Sequence, residues 1–158
     1  MRKCYDDFIT AETQRTPSWR REDGMDRQHN LASVNKITEG VIGAGITVHR
    51  ALGPGLLESA YQQCFCQELF LRGIPFEREV PIPLEYRGIR LEAGYRLDIL
   101  VAGKVVVEVK AMEAIAPIHE AQLLTYLRLG GWKVGLLMNF NVVVLKDGIR
   151  RRVLDLRE

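Results

Sequence analysis

Tyr95-Arg96-Leu97-Asp98-Ile99-Leu100-Val101-Ala102-Gly103-Lys104-Val105-Val106-Val107-Glu108-Val109-Lys110 reads as two β-strands joined at a short turn around Gly103. Both arms are rich in Ile, Val and Leu, which suit a pleated, packed surface. Asp98, Glu108 and Lys110 interrupt this apolar run. Burying a charge is costly unless a partner compensates it, so each of the three needs a reason. Strand side chains alternate faces with period two. A three-residue loop, Ala102-Gly103-Lys104, sets Val101 opposite Val105, Ile99 opposite Val107 and Leu97 opposite Val109, an apolar face throughout. The other face then sets Asp98 opposite Glu108 and Arg96 opposite Lys110. A two-residue loop slips the register and puts Leu97 on a face with Glu108, so the apolar pattern selects the longer loop. Directly opposed residues have Cβ atoms roughly 4.5–5.5 Å apart, so two carboxylates converge, with Lys110 two residues on. Two like charges at that distance call for a shared proton or a divalent cation.

Asp followed on the neighbouring strand by Glu-x-Lys resembles the catalytic signature of the PD-(D/E)XK nuclease superfamily. The same short pattern also fits a hairpin with solvated charges on its outer face, and the hairpin alone leaves both readings open.

Composition narrows the class. The chain has 158 residues, enough for one domain with a real core, and its hydrophobic fraction of 47% is ordinary for a globular protein. A net charge of +2 and a pI near 8.5 do not by themselves argue for nucleic-acid binding. No apolar run approaches the length of a membrane span, and the N-terminus lacks a secretory apolar core. Cys4, Cys64 and Cys66 form no C-x-x-C pair and read as free thiols in a reducing, cytoplasmic compartment. Residues 1–31 are polar with charges of both signs and read as a disordered tail, with Met25 a candidate translation start. Residues 32–158 read as the folded domain.

Within that domain Ile37, Val41, Ala44, Val48 and Leu52 mark one face of a helix capped by Ser33 or Asn35 and stopped by Gly53-Pro54-Gly55. A second helix runs over 56–71, its face drawn through Leu57, Ala60, Tyr61, Cys64, Glu68 and Leu71, with Phe65 and Leu69 widening it. Its opening, Gly55-Leu56-Leu57-Glu58-Ser59-Ala60-Tyr61, resembles the defining motif of the GxxExxY protein family, a group placed among PD-(D/E)XK nuclease-like proteins. The preceding 48–54 segment is also like that family. A first-turn glutamate is equally explained by the helix dipole. Ile74 to Leu84 reads as a strand whose prolines favour an edge; Ile89 to Val101 reads as one hairpin arm and 104–110 as the other. Pro117 opens a third helix over 118–129, which places Gln122 and Tyr126 on one face beside Leu123 and Leu127. Gln-x-x-x-Tyr after Glu-x-Lys resembles the accessory motif of RecB-like nucleases. Strands over 132–138, 142–145 and 149–156 complete the domain; Arg150, Arg151 and Arg152 fit either phosphate contact or a charge-blunted edge strand.

The resemblance covers about residues 33–156 and departs at Leu97, which precedes Asp98 in place of the motif's Pro, a Pro the superfamily often lacks. It implies an α/β fold (α+β mixed): a central mixed β-sheet flanked by helices, the restriction-endonuclease-like core. It further implies a nuclease that hydrolyses phosphodiester bonds with Mg²⁺ or Mn²⁺ held by Asp98, Glu108 and the Val109 carbonyl, Glu58 completing the shell. Lys110 is then catalytic, Gln122 and Tyr126 position the phosphate backbone, and Gly55, Glu58 and Tyr61 form the family motif. The implied partner is nucleic acid, DNA by preference, with no membrane and with a homodimer or a partner protein left open. The competing expectation is a non-catalytic nucleic-acid-binding or assembly module on the same fold.

Overall fold

The structure, a computed structural model, describes residues 27–91 and 94–154. The proposed tail through residue 26 and the end of the 149–156 strand lie outside the described residues. Five strands form the central sheet: β1 (Phe76–Pro81), β4 (Arg96–Val101), β5 (Val105–Lys110), β6 (Val134–Asn139) and β7 (Ile149–Val153), side by side in that order. A separate hairpin pairs β2 (Leu84–Tyr86) with β3 (Ile89–Leu91). Three helices accompany them: α1 (Arg27–Leu52), α2 (Glu58–Leu71) and α3 (Pro117–Gly130).

The sheet is mixed. β5 and β6 run parallel, and the other neighbours run antiparallel. Parallel neighbours need a crossover, and α3 supplies it. α1 and α2 pack with one face of the sheet, where Val41, Ala44, Val48, Tyr61, Phe65 and Leu69 meet Ile99, Val101, Val105, Val107 and Val109. Leu123, Tyr126 and Leu127 of α3 pack with Leu100, Val106 and Leu137 in the second cluster. Covering both faces explains why β5 and β6 are apolar almost throughout and buried at nearly every position. Gly135 permits the close seating of α3, because a Cβ there would lie 2.7 Å from the Leu123 side chain.

The hairpin register is the one read from the apolar pattern: Val101 pairs with Val105 and Ile99 with Val107. Lys104 N–H donates to the Val101 carbonyl at 3.0 Å and closes the three-residue turn. Pro81 sits, as expected, on an edge strand, while Pro75 and Pro83 lie outside β1.

Other expectations need correction. α1 begins at Arg27, ahead of the expected cap at Ser33 or Asn35. Residues 89–91 do not continue into β4 but fold back on β2. The buried stripe of α2 is Tyr61, Phe65, Cys66 and Leu69, whereas Cys64 is exposed and Leu57 and Leu71 are 77% and 68% exposed. Residues 142–145 are not a strand. The chain bends there and forms a 3₁₀ turn over Leu145–Gly148, while Met138 already pairs with Ile149 to close the β6–β7 ladder. Leu97 leaves the Ile99 face and packs in the second cluster, for a reason that belongs to the site.

Candidate active site

The paired ladder between β4 and β5 ends at Ile99 and Val107. Beyond it, side chains take over from the backbone. Val109 N–H donates to Asp98 Oδ2 at 2.8 Å, and Asp98 N–H donates to Glu108 Oε1 at 3.3 Å. Each acid thus accepts a backbone N–H of the opposite strand, and the two carboxylates occupy the end of the hairpin where ladder bonds would otherwise lie. The disturbance extends to β1. Its register with β4 passes over Glu79, which faces Asp98 and has a φ of +50°. Phe76 and Ile99 pack with one cluster, Val80 and Leu97 with the other. Both strands therefore exchange faces at the level of Asp98, as at a bulge. That exchange also leaves Arg96 without the expected pairing to Lys110; Arg96 pairs with Pro81.

Glu108 is 4% exposed and Asp98 is half-buried. Lys110 Nζ lies 3.8 Å from Glu108 Oε2. Burial, then the neighbouring Asp98 charge, pushes Glu108 up to about 8, against the opposing pull of Lys110. Burial also raises Asp98, opposed by the Val109 hydrogen bond and Lys110, while the Glu58 charge adds to the rise. Raised proton affinity on both acids is the usual result when two carboxylates occupy one site. A hard divalent ion is the other species able to relieve the same repulsion. The donors fit such an ion, since Mg²⁺ needs only one or two carboxylates and keeps several waters. Among the described residues no group of three His, Cys, Asp or Glu side chains is disposed to hold a metal. Glu58 is close enough for Asp98 to feel its charge, and is half-buried at the first position of α2.

The motif around Glu58 is a mechanical device. Gly55 has a φ of +99°, a conformation open to glycine. Tyr61 is fully buried, donates its hydroxyl proton to the Gly53 carbonyl at 2.5 Å and accepts Leu56 N–H at 3.1 Å. Its ring stacks on Phe140 with centroids 4.8 Å apart. The tyrosine thereby ties the α1–α2 loop to the core and fixes where Glu58 begins its helix.

On the other side, Gln122 Nε2 donates to the Tyr126 hydroxyl at 2.8 Å. Tyr126 is 7% exposed; burial first, then the Glu108 charge, raises its proton affinity. α3 thus brings this pair within electrostatic range of the acids. His119 fastens the start of α3 by accepting Ala116 N–H at Nδ1, 2.9 Å away.

Asn139 was not among the residues singled out from sequence. It is 2% exposed at the end of β6, in register with Lys110. Its Oδ1 accepts Met112 N–H at 3.0 Å and Asn141 N–H at 3.2 Å, and its Nδ2 donates to the Met112 carbonyl at 2.9 Å. It anchors the chain just beyond Lys110. The available signal was a lone amide closing an apolar strand. Asn139→Ala is expected to cost about 1–3 kcal/mol by leaving buried backbone groups unpaired, lowering Tm by roughly 2–10 °C. Thermal denaturation of both proteins checks it.

Arg150, Arg151 and Arg152 lie on β7. β7 is an edge of the sheet. Arg152 pairs with Glu120, Arg150 Nε lies 3.9 Å from Glu120 Oε1, and Arg151 donates to Asn35 Oδ1 at 2.7 Å. Cys64 and Cys66 form no disulfide, and burial pushes the Cys66 thiol up to about 11, so it packs as a neutral group. Among the described residues no helix is long and apolar enough to cross a membrane.

Searches of curated proteins and of solved structures return no match. The model of the PD-(D/E)XK nuclease superfamily matches residues 35–152, which span all five strands of the sheet but for Val153 and include Asp98, Glu108 and Lys110. With that match over most of its length, and with the mixed sheet and paired acids in place, the chain belongs to the PD-(D/E)XK nuclease superfamily.

Proposed function

We propose that the protein is a divalent-metal-dependent nuclease of the GxxExxY, RecB-like kind, hydrolysing phosphodiester bonds of DNA, or of RNA, in the cytoplasm. The observation that carries the reading is the convergence of Asp98 and Glu108 at the splayed end of the hairpin, with Lys110 beside them. Asp98, Glu108 and the Val109 carbonyl would hold Mg²⁺ or Mn²⁺. The ion when bound lowers the pKa of a water and stabilises charge on a phosphoryl oxygen. Asp98 and Glu108 would hold it in their charged forms. Lys110 orients the attacking water and offsets the developing negative charge as a fixed cation. Glu58, whose charge reaches Asp98, would complete the shell of the ion from the start of α2. Gln122 and Tyr126 hold the phosphate backbone by hydrogen bonds.

The test is cleavage of plasmid, linear and single-stranded DNA, and of RNA, with Mg²⁺ or Mn²⁺. Cleavage is expected with either ion and is expected to stop on adding EDTA. Lys110→Ala is expected to lose about 10²–10³-fold in rate, the scale of removing one fixed charge-stabilising donor. Wild-type protein that stays inert on every substrate with both ions would instead support a non-catalytic binding module.

A further inference from the structure

Beside the acids, a groove of about 260 Å³ runs between α3 and the chain entering β4. Its lining includes Leu84, Ile118 and Leu129, two aromatic rings, Tyr95 and Tyr126, and the Gln122 amide. The tyrosine ring centroids lie 6.4 Å apart with planes tilted by 54°. No Lys, Arg, Asp or Glu lines it among the described residues. A phosphate would find no cation there. A flat, largely apolar ring with a polar edge finds aromatic faces, aliphatic walls and the Thr125 side chain. The volume is below the roughly 300–1,000 Å³ typical of a site for a drug-sized ligand, which suits a single heterocycle.

Two wall residues belong to both groove and site. Tyr126 is reached by the Glu108 and Asp98 charges, and Gln122 is bonded to its hydroxyl. A nucleotide strand whose phosphate lay at the acids would have a neighbouring base beside Tyr126, a wall of this groove. A base within a duplex is stacked and paired, and cannot enter.

We propose that this groove is a subsite for one unpaired nucleobase, so that the protein engages single-stranded nucleic acid, or frayed ends, in preference to intact duplex. Tyr95, 44% exposed, is the stacking platform, and Leu84, Ile118 and Leu129 wall the base in. The inference rests on the nuclease reading only for the placement of the phosphate, and its test is one of binding.

The test measures Kd by fluorescence anisotropy in EDTA, for a labelled single strand as DNA and as RNA, and for the blunt DNA duplex. Tyr95→Ala is expected to weaken single-strand binding about 5- to 100-fold, the range for removing one stacking platform, and to leave duplex binding unchanged. Tyr95→Trp is expected to restore it. Moving one abasic position along the strand is expected to find a site where wild-type protein loses the same factor and Tyr95→Ala loses nothing further. Equal dependence on Tyr95 for DNA and RNA assigns recognition to the base; dependence for one alone assigns the subsite to that polymer. The proposal is overturned if Tyr95→Ala binds single strands as wild type does, or weakens single strand and duplex alike. Cleavage that requires Glu108 but ignores Tyr95 would sink the subsite and leave the nuclease standing. Tyr95-dependent binding without cleavage would do the reverse.

Discussion

Glu108→Gln is expected to abolish cleavage and, at the same time, to make the metal-free protein more stable at pH 8. The two effects share one origin. Glu108 is buried against Asp98, and its proton affinity is pushed from an ordinary 4.5 up to about 8, by burial and then by the Asp98 charge. The unfolded chain releases that proton near 4.5, the folded chain only near 8. Between those values the native state holds more protons, so stability falls as pH rises through the window. The contribution is fully present below about 4.5 and is lost by about 8. Its size is on the order of a few kcal/mol, shared across the dyad because the two carboxyls titrate together. A glutamine has the shape of the protonated acid and can still donate to Asp98, but it never charges. In EDTA at pH 8 the variant is expected to melt several degrees above wild type, roughly 2–4 °C per kcal/mol, and at pH 4.5 to melt with it. Magnesium reverses the order at pH 8. Wild-type protein gains stability by binding the ion, with affinity rising as the proton leaves, whereas the variant gains little. Turnover should fall roughly a thousandfold or more, several kcal/mol of lost charge stabilisation. Differential scanning fluorimetry at the two pH values, with and without Mg²⁺, reads all of this. A variant that melts at or below wild type at pH 8 in EDTA would mean that the buried pair carries no stored repulsion.

The residues that meet across the hairpin were legible because Ile99, Val101, Val105 and Val107 leave one register that keeps them on a single face, and that register aligns Asp98 with Glu108. The face of Leu97 was not legible. It depends on two hydrogen bonds from backbone to carboxylate that splay the strands, and no periodicity encodes such an exchange. The buried stripe of α2 was misplaced for a related reason. Cys64 and Cys66 are chemically alike, and the choice between them is made by packing distant in sequence, where Phe140 meets Tyr61 and Phe65. Val142, Val143 and Val144 have strand propensity but sit in a loop that His49 Nε2 holds through the Val142 carbonyl at 2.8 Å, while Val143 is left 89% exposed. Tertiary contacts there override local preference. The acids, the lysine and the Gln122–Tyr126 pair come from segments with strong local patterns. The groove beside them needed three dimensions, since β2, the entry to β4 and α3 carry no common spacing.

Replacing Tyr61 should separate what the motif does for the fold from what it does for the site. Tyr61→Ala removes a fully buried ring that stacks on Phe140 and should cost about 3–5 kcal/mol. For a domain of this size that is a fall of roughly 10–20 °C in Tm, and the expected result is a poorly folded protein that reports little about chemistry. Tyr61→Phe is the informative change. It keeps the stack but leaves the Gly53 carbonyl and Leu56 N–H without their shared hydroxyl, at about 1–3 kcal/mol. The fold should survive, and the loop that delivers Glu58 to its helix should loosen. If Glu58 acts beside Asp98, cleavage by Tyr61→Phe should drop several-fold with substrate affinity little changed. The same substitution made on top of Glu58→Gln should then lower the rate no further, because both changes remove one contribution. A double-mutant cycle on kcat measures this directly. Fully additive effects would separate the tyrosine from the glutamate and leave Tyr61 as a core residue, the loop then holding α1 to α2 without any hand in the reaction.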